Sequence, residues 1–435
     1  MKGKTEEEFL KVVNDGYSCL GDYVTYGAAV LDGKVVKEAL VNIPLATLNR
    51  HGLVAGATGT GKTKSLQKLA ELLSEKGVPS LVMDIKGDFS GVSQEGDYND
   101  KVKSREEATG IKWSAESYPT EFMSLSEDGA IRMRSTVSEF GPVLFSKMLE
   151  LNDTQSSVVS LVFKYCDDKG LPLLDLADFR KVLQYIQTDE GKDDIEKDFG
   201  TVAGTSIGTI MRKVIELEEQ GGEMIFGEPS FEVNDLVATR DGMGVINVIR
   251  LMNVQTKPKL FSTFMLSLLA EMYQKFPELG DVEKPKLMVF IDEAHLLFEE
   301  ASEDLLNQIE QIVKLIRSKG VGIIFCTQNP IDIPDDVLAQ LGLKVQHALR
   351  AFTAKDRDAI KKASENYPET DFYQVDKLIT ELGIGEAFVT ALSEKGTPTP
   401  LVHCMNSGPR SRISTITDDE YKKVLSESNL LQKYN

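Results

Sequence analysis

Eight consecutive residues, Gly56, Ala57, Thr58, Gly59, Thr60, Gly61, Lys62 and Thr63, have the types and spacing to hold a polyphosphate. A turn of successive backbone N–H groups has to wrap the β- and γ-phosphates, and side chains at Gly59 and Gly61 would obstruct that approach. Lys62 adds a point charge to the β/γ oxygens, Thr63 offers a hydroxyl to Mg2+, and a helix starting there adds the positive end of its dipole. A dinucleotide reading fails, because Lys64 stands where the last glycine of that pattern belongs. A nucleoside triphosphate and Mg2+ are therefore the expected ligands.

A second cluster ends the run KLMVFIDEAH, Lys286 to His295, where an apolar strand gives way to two acids. Ligands bind at the carboxyl edge of open α/β sheets, so Asp292 is placed to hold Mg2+ through water and Glu293 to act as general base on the attacking water. A kinase that shields its product from water has no use for such a glutamate, so the pair favours hydrolysis. The run VGIIFCTQNP ends at Thr327 and Gln328. Gln328 reads either as a γ-phosphate sensor that positions water or as a turn-initiating residue before Asn329-Pro330. Asp84, at the end of SLVMD, reads either as a water relay beside the phosphates or as a plain turn acid.

Hydrolysis of this kind uses a cationic finger against transition-state charge, and a neighbouring subunit can supply it. Arg317 is the first candidate and Arg50 and Arg350 the others. Each reads equally as a helix-end or surface arginine, and the spacing does not decide among them. His51, His295 and His347 border strands and read as hydrogen-bonded edge groups. Trp113 reads as packing, and the cluster Lys355 to Lys362 as a solvated helix face.

These residues need a scaffold that brings strand ends together. Short apolar runs at Leu53 to Ala55, Leu81 to Ile85, Val245 to Ile249, Leu287 to Ile291, Val321 to Cys326 and Val345 to Leu349 read as buried strands. Helical periodicity separates them, for example over Lys62 to Lys76 with Gly77 as stop, and over about Ser302 to Lys319 with Gly320 as stop. Alternating strand and helix predicts an α/β fold of the P-loop NTPase (RecA/ASCE) type, a mostly parallel sheet covered by helices on both faces.

The expected segmentation is an N-terminal extension over 1–49, an ATPase core over 50–97 and 240–410, and a mainly helical insertion over 98–239. GEAFVTAL and TPTPLVHC read as an edge hairpin around a Gly-Thr-Pro turn, and 411–435 carries a last helix, Asp418 to Leu431.

Composition bounds the function class. The chain has 435 residues, 41% hydrophobic and 27% charged, enough for one large core or two modest ones. Its net charge of −19, from 49 basic and 68 acidic side chains, argues against broad nonspecific attraction to nucleic acid but leaves room for a local basic channel. Four scattered cysteines signal neither a zinc site nor a disulfide framework. No run approaches the roughly 20 apolar residues of a membrane span, so no membrane and a cytoplasmic location are expected.

Taken in order, RHGLVAGATGTGKT, DIKGDFSG, FIDEAHLLF, IRSKGVGIIFCTQNP and VQHALRAF resemble the HerA/FtsK superfamily of motor ATPases, with the nearest likeness to HerA-like bacterial proteins once grouped as a domain of unknown function. The likeness runs from Arg50 to about Ala363. It implies that Lys62 and Thr63 carry the phosphates and metal, Asp292 and Glu293 the metal and water, and Gln328 the sensor role.

In that superfamily an arginine just ahead of the fourth core strand acts across a subunit boundary in a hexameric ring, and Arg317 falls there. Arg50 matches a second family arginine before the loop, and Asp84 an acid after the second strand. The family's motors pump or unwind double-stranded DNA in a central channel, often with a partner nuclease. HerA proper carries a β-barrel domain ahead of its ATPase, whereas the stretch before Leu53 is too short for a typical domain, so partner docking through that barrel is not implied. The resemblance thus implies a ring-forming ATP hydrolase acting on double-stranded DNA. The alternative is a regulatory or scaffolding ATPase that oligomerises with a protein partner without acting on DNA, and a small-molecule kinase is disfavoured by Glu293.

Overall fold

The computed structural model describes residues 5–251, 257–299, 303–351 and 353–435. In chain order its strands are β1 (Tyr23–Leu31), β2 (Lys34–Pro44), β3 (Gly52–Ala55), β4 (Ser80–Asp84), β5 (Thr120–Ser124), β6 (Ile131–Arg132), β7 (Thr239–Arg240), β8 (Met243–Gly244), β9 (Ile246–Arg250), β10 (Leu287–Ile291), β11 (Val321–Thr327), β12 (Leu343–Gln346), β13 (Glu386–Thr390) and β14 (Val402–Asn406). All but β7 and β8, which pair with each other, form one sheet in the order β2-β1-β14-β13-β12-β3-β11-β10-β4-β9-β5-β6.

From β12 to β6 neighbouring strands are parallel, and from β12 back to β2 they are antiparallel. The parallel strands need cover on both faces, which is why they are apolar at every position or nearly so. Side-chain alternation then splits them into two cores. Leu53, Leu81, Met83, Val289, Ile323 and Phe325 face one side, with the helices Pro258–Lys275 and Glu303–Ile316 and the long helical segment. Val54, Val82, Met288, Phe290, Ile324 and Cys326 face the other, covered by Leu66, Leu69 and Leu73 of the helix Lys62–Glu75 and by Phe9 and Val13 of the helix Glu6–Gly16.

Three segments differ from expectation. Of 98–239, expected to be mainly helical, β5 and β6 are strands of the main sheet, and the α-helices are Asp100–Thr109 and those between Val137 and Glu219. β5, TEFMS, hides from a hydropathy reading because it carries a buried acid, Glu121, which is neutralised by the Arg240 guanidinium. The helices after it close on an aromatic cluster of Phe140, Phe145, Phe163, Phe179 and Phe226.

The stretch 1–49, read as an extension, supplies a helix and the β1–β2 hairpin. Asp32 and Gly33 both have positive φ, 49° and 75°, as a two-residue primed turn requires. Because β1 pairs with β14, the β13–β14 pair expected at the edge lies inside the sheet, and β2 is the edge. The last helix, expected over Asp418 to Leu431, is broken into Asp418–Ser426 and Leu431–Tyr434, and Tyr434 is buried against Phe231.

The hairpin separates two roles of glycine. A β-carbon on Gly33 meets nothing within 4 Å but sits at a left-handed φ, whereas one on Gly27 falls 2.2 Å from the Met405 carbonyl oxygen across the β1–β14 seam. Gly33→Ala should cost about 1 kcal/mol, and Gly27→Ala about 3 kcal/mol. Denaturant midpoints of the two variants check this, and equal shifts would show that the seam tolerates a methyl group.

Candidate active site

The parallel register aligns the carboxyl ends of β3, β11, β10 and β4. Ala55 pairs with Thr327, and Ile291 lies between Phe325 and Met83, so the residues that follow these strands emerge at one edge. The chain leaving β3 turns at once into the loop Gly56–Thr63. Its first two amides are engaged, Gly56 N–H to the Thr327 carbonyl at 3.2 Å and Ala57 N–H to the Ala348 carbonyl at 2.8 Å. Gly56, Gly59 and Gly61 have φ of 154°, 78° and 114°. A β-carbon at Gly56 would fall 2.5 Å from His347 Cβ, while one at Gly59 would meet nothing within 4 Å, so there it is the left-handed φ that calls for glycine.

The helix Lys62–Glu75 starts at this loop, with Gly61 as its left-handed N-cap. Lys62 is buried, and its Nζ donates to the Gly56 carbonyl at 2.6 Å and the Ala57 carbonyl at 3.2 Å. Burial lowers its pKa, and the nearby Lys86 pushes the same way. The half-buried Thr63 follows on the first turn.

A polar column holds this helix from beneath. His347 is fully buried, and its Nδ1 lies 2.8 Å from the Glu386 carbonyl, which only accepts, so Nδ1 carries the proton and Nε2 accepts from Ser65 Oγ at 2.8 Å. Ser65 Oγ in turn accepts from the Tyr26 hydroxyl at 2.7 Å and from Asn406 Nδ2 at 3.3 Å. From the side, Gly385 N–H donates to the Thr60 carbonyl at 3.1 Å, and Arg105 fixes that turn by donating to the carbonyls of Ile384, Gly385 and Asn406.

Asp292 and Glu293 follow β10 and are 4% exposed each, which makes their charges matter. Burial raises the Asp292 pKa against the opposing Lys86 charge. Its Oδ1 accepts the Glu293 N–H at 2.9 Å, and the Glu293 backbone takes a φ of 47°, sparsely populated for a non-glycine residue. Glu293 Oε1 is ion-paired with Lys86, and Oε2 lies 3.3 Å from His295 Nδ1.

Asp84, expected as a relay or a turn acid, caps the turn that carries this lysine. Its two oxygens accept the N–H groups of Gly87 at 2.8 Å and Phe89 at 3.1 Å, and burial raises its pKa to about 6. Gln328 is exposed beside the loop and lines two clefts. One, of about 460 Å³, includes Ala57, Thr58, Asn329 and Arg350, and the other, of about 630 Å³, includes His295 and Asp332.

The arginines separate. Arg317 is exposed and precedes β11, so it lies at the opposite edge of the sheet from Thr327. Seven strand residues at a rise of roughly 3.3 Å span about 20 Å, beyond the reach of a side chain to its own phosphate loop. Arg50 precedes β3, likewise away from the loop, with its guanidinium beside Gly396. Arg350 lies on the loop side, its Nη1 donating to the Thr380 carbonyl at 3.2 Å.

Hydroxyl and carboxylate oxygens at Thr63 and Asp292 suit Mg2+, which takes one or two protein oxygens and completes its shell with phosphate and water. Among the described residues no cluster of three or more His, Cys, Asp or Glu side chains is disposed to hold an ion alone. Sequence reasoning missed Lys86, Arg105 and the supporting role of His347. Lys86 stands two residues after Asp84 in DIKGDF, and only the fold brings it to Glu293.

Residues 31–435 match the family model described as Helicase HerA-like C-terminal. The DNA double-strand break repair helicase HerA of Sulfurisphaera tokodaii is 23% identical over 362 residues, covering 82% of this chain and 66% of that protein. Its namesake from Sulfolobus acidocaldarius is 20% identical over 368 residues, with the same coverage. The chain thus aligns with just under two thirds of those relatives' length. Among solved structures, the plasmid coupling protein TrwB in complex with the GTP analogue GDPNP gives a TM-score of 0.57 at 14% identity, covering 92% of this chain and 99% of that one. VirB4 of Thermoanaerobacter pseudethanolicus gives 0.53 at 14%, covering 88% and 97%. At such identity the likeness establishes a shared P-loop ATPase fold.

Two buried histidines give the fold an acid limit. Burial lowers His347 and His51 from 6.5 to about 4, and His51 stays neutral between the Ile323 N–H and the Val313 carbonyl. An unfolded chain protonates both near 6.5, so stability is full above that pH and is lost as pH falls toward 4. Melting temperatures across this range should fall with pH, and His51→Asn and His347→Asn should each make the slope shallower. An unchanged slope in both variants would assign the acid lability to other groups.

Proposed function

The chain belongs to the Helicase HerA-like C-terminal family, and from that premise we propose that it is a Mg2+-dependent ATP hydrolase that works as a ring, coupling turnover to translocation along, or unwinding of, double-stranded DNA. The observation that carries the reading is the meeting, at one sheet edge, of the phosphate loop with the buried pair Asp292-Glu293, while Arg317 stands at the other edge.

The division of labour follows from position. The amides after Ala57 and the Lys62 ammonium hold the β- and γ-phosphates, and Lys62 exchanges its contacts with the Gly56 and Ala57 carbonyls for phosphate oxygens. Magnesium, when bound, neutralises charge on those oxygens, and Thr63 and Asp292 are the residues that would hold it. Glu293 takes the proton of the attacking water as its oxygen bonds to the γ-phosphorus and ADP leaves, and Gln328 orients that water from the adjoining strand end. Arg317 serves the site of the next subunit, because its own lies about 20 Å away.

The similarity to helicases named for DNA double-strand break repair supports DNA as the polymer. Among the described residues no helix is long and apolar enough to cross a membrane, and we propose a cytoplasmic site of action. The net charge of −19 favours a second reading, a ring that regulates or scaffolds a protein partner. A nuclease is the partner that suits the first reading.

ATPase rates with duplex DNA, single-stranded DNA and none, run beside particle mass, separate the two. Stimulation by duplex that falls steeply with salt supports the motor, and rates indifferent to DNA of any length favour the scaffold. Lys62→Ala should abolish tight nucleotide binding, whereas Glu293→Gln should retain ATP and reduce turnover at least about a hundredfold. A Glu293→Gln variant with near wild-type turnover would refute the general-base assignment.

A shared site makes a further demand. Arg317→Ala and Glu293→Gln should each be inactive alone, yet mixed rings should regain activity where an intact Glu293 meets an intact Arg317. Mixtures as inactive as the separate variants would place the finger elsewhere, with Arg50 and Arg350 next to be tested.

A further inference from the structure

The ion pair between Lys86 and Glu293 has no place in the division of labour above. The Glu293 side chain is only 5% exposed and its Oε1 is taken by the Lys86 ammonium, so one of the two oxygens that could accept a proton from water is occupied. Its other oxygen faces His295 Nδ1 at 3.3 Å without a hydrogen bond. Lys86, by contrast, is 36% exposed, and its four-carbon stem can swing.

Its backbone is held from below. Asp84 accepts the amides of Gly87 and Phe89, which fixes the turn on which Lys86 stands and leaves the side chain as the adjustable part. The lysine lies close enough to the catalytic cluster to act on the charges of Lys62 and Asp292, and the acids hold its own pKa up against the cost of burial. In the hydrolysis proposed above the attacking water would lie between the Glu293 carboxylate and the γ-phosphorus, which would put a cation on that carboxylate on the side of the γ-phosphate oxygens.

We propose that Lys86 is a sensor of the nucleotide's terminal phosphate. It exchanges its ammonium between the Glu293 carboxylate and a γ-phosphate oxygen, so that the carboxylate is released from its ion pair only when a triphosphate is in place. The inference rests on the ATPase reading and deepens it. The exchange is one of ion pairs, with no bond made or broken. It gives the site a reason to tell ATP from ADP, since ADP presents no anion where Lys86 can reach. Lys86 is thus a positioning residue for Glu293 and a binding residue for the terminal phosphate.

The test is binding rather than turnover. A non-hydrolysable ATP analogue and ADP, each with Mg2+, are titrated calorimetrically into the full chain as wild type, Lys86→Ala, Lys86→Arg and Glu293→Gln. Lys86→Ala should weaken the analogue about tenfold, the size of one charge-assisted hydrogen bond, and change ADP less than about twofold. Lys86→Arg should recover part of the loss. Glu293→Gln should tighten the analogue by a few-fold, because no ion pair has to be broken, and leave ADP alone.

Lys86→Ala strands a buried carboxylate, so it can fail to fold. The double variant Lys86→Ala with Glu293→Gln removes that burden and is compared with Glu293→Gln alone, where a loss of more than about tenfold for the analogue is expected, because no ion pair offsets the phosphate contact there. Equal losses for both ligands, or none for either, would overturn the proposal and reduce the pair to a structural contact. A wild-type chain that binds neither nucleotide would instead defeat the ATPase reading, and this inference with it.

Discussion

Two backbone hydrogen bonds, Gly56 N–H to the Thr327 carbonyl and Ala57 N–H to the Ala348 carbonyl, tie the phosphate loop to the chain leaving β11 and β12. They arrest the chain as it leaves β3 and leave the later amides, from Thr58 on, to form the concave turn. Everything chemical in the molecule is placed relative to that turn. The parallel register that brings Thr327 to Ala55 also brings Asp292 and Asp84 to the same edge. The polar column from Tyr26 through Ser65 and His347 to the Glu386 carbonyl keeps the following helix from shifting.

The edge concentrates charge where water is scarce. Lys62, Asp292 and Glu293 are buried and Lys86 reaches them from the surface; burial disfavours the charged forms of Lys62 and Asp292, while the two acids hold Lys86 charged. In such surroundings a single unpaired charge is expensive, so the groups are organised as exchangeable partners: Lys62 with loop carbonyls, Lys86 with Glu293. Glu293 combines a left-handed backbone with a side chain kept from solvent, a conformation that the surrounding contacts have to hold.

How much of this was legible in the sequence depended on whether a residue acts where it stands in the chain. The phosphate loop and Asp292-Glu293 are read from contiguous runs because strand, turn and ligand group follow one another directly. The parallel core strands are legible because burial on two faces leaves little but Val, Ile, Leu, Phe and Met. β5 was not, since its Glu121 is neutralised by an arginine more than a hundred residues later. The N-terminal hairpin carries an open signal, Asp32-Gly33 between two β-rich runs, although its length ahead of the first core strand reads as an extension. Arg105 and Lys86 act through contacts with residues distant in sequence, and no spacing rule records such a meeting.

The seam between β1 and β14 has a consequence for how the molecule is made. The first hairpin can form early, yet one of its edges stays open until a strand near the other end of the chain arrives to cover it. In the same way β3 waits for β11 and β12 before it has neighbours on either side. Completion of the sheet is therefore a late, long-range event, slow to nucleate and with unpaired edges open to wrong partners in the interval.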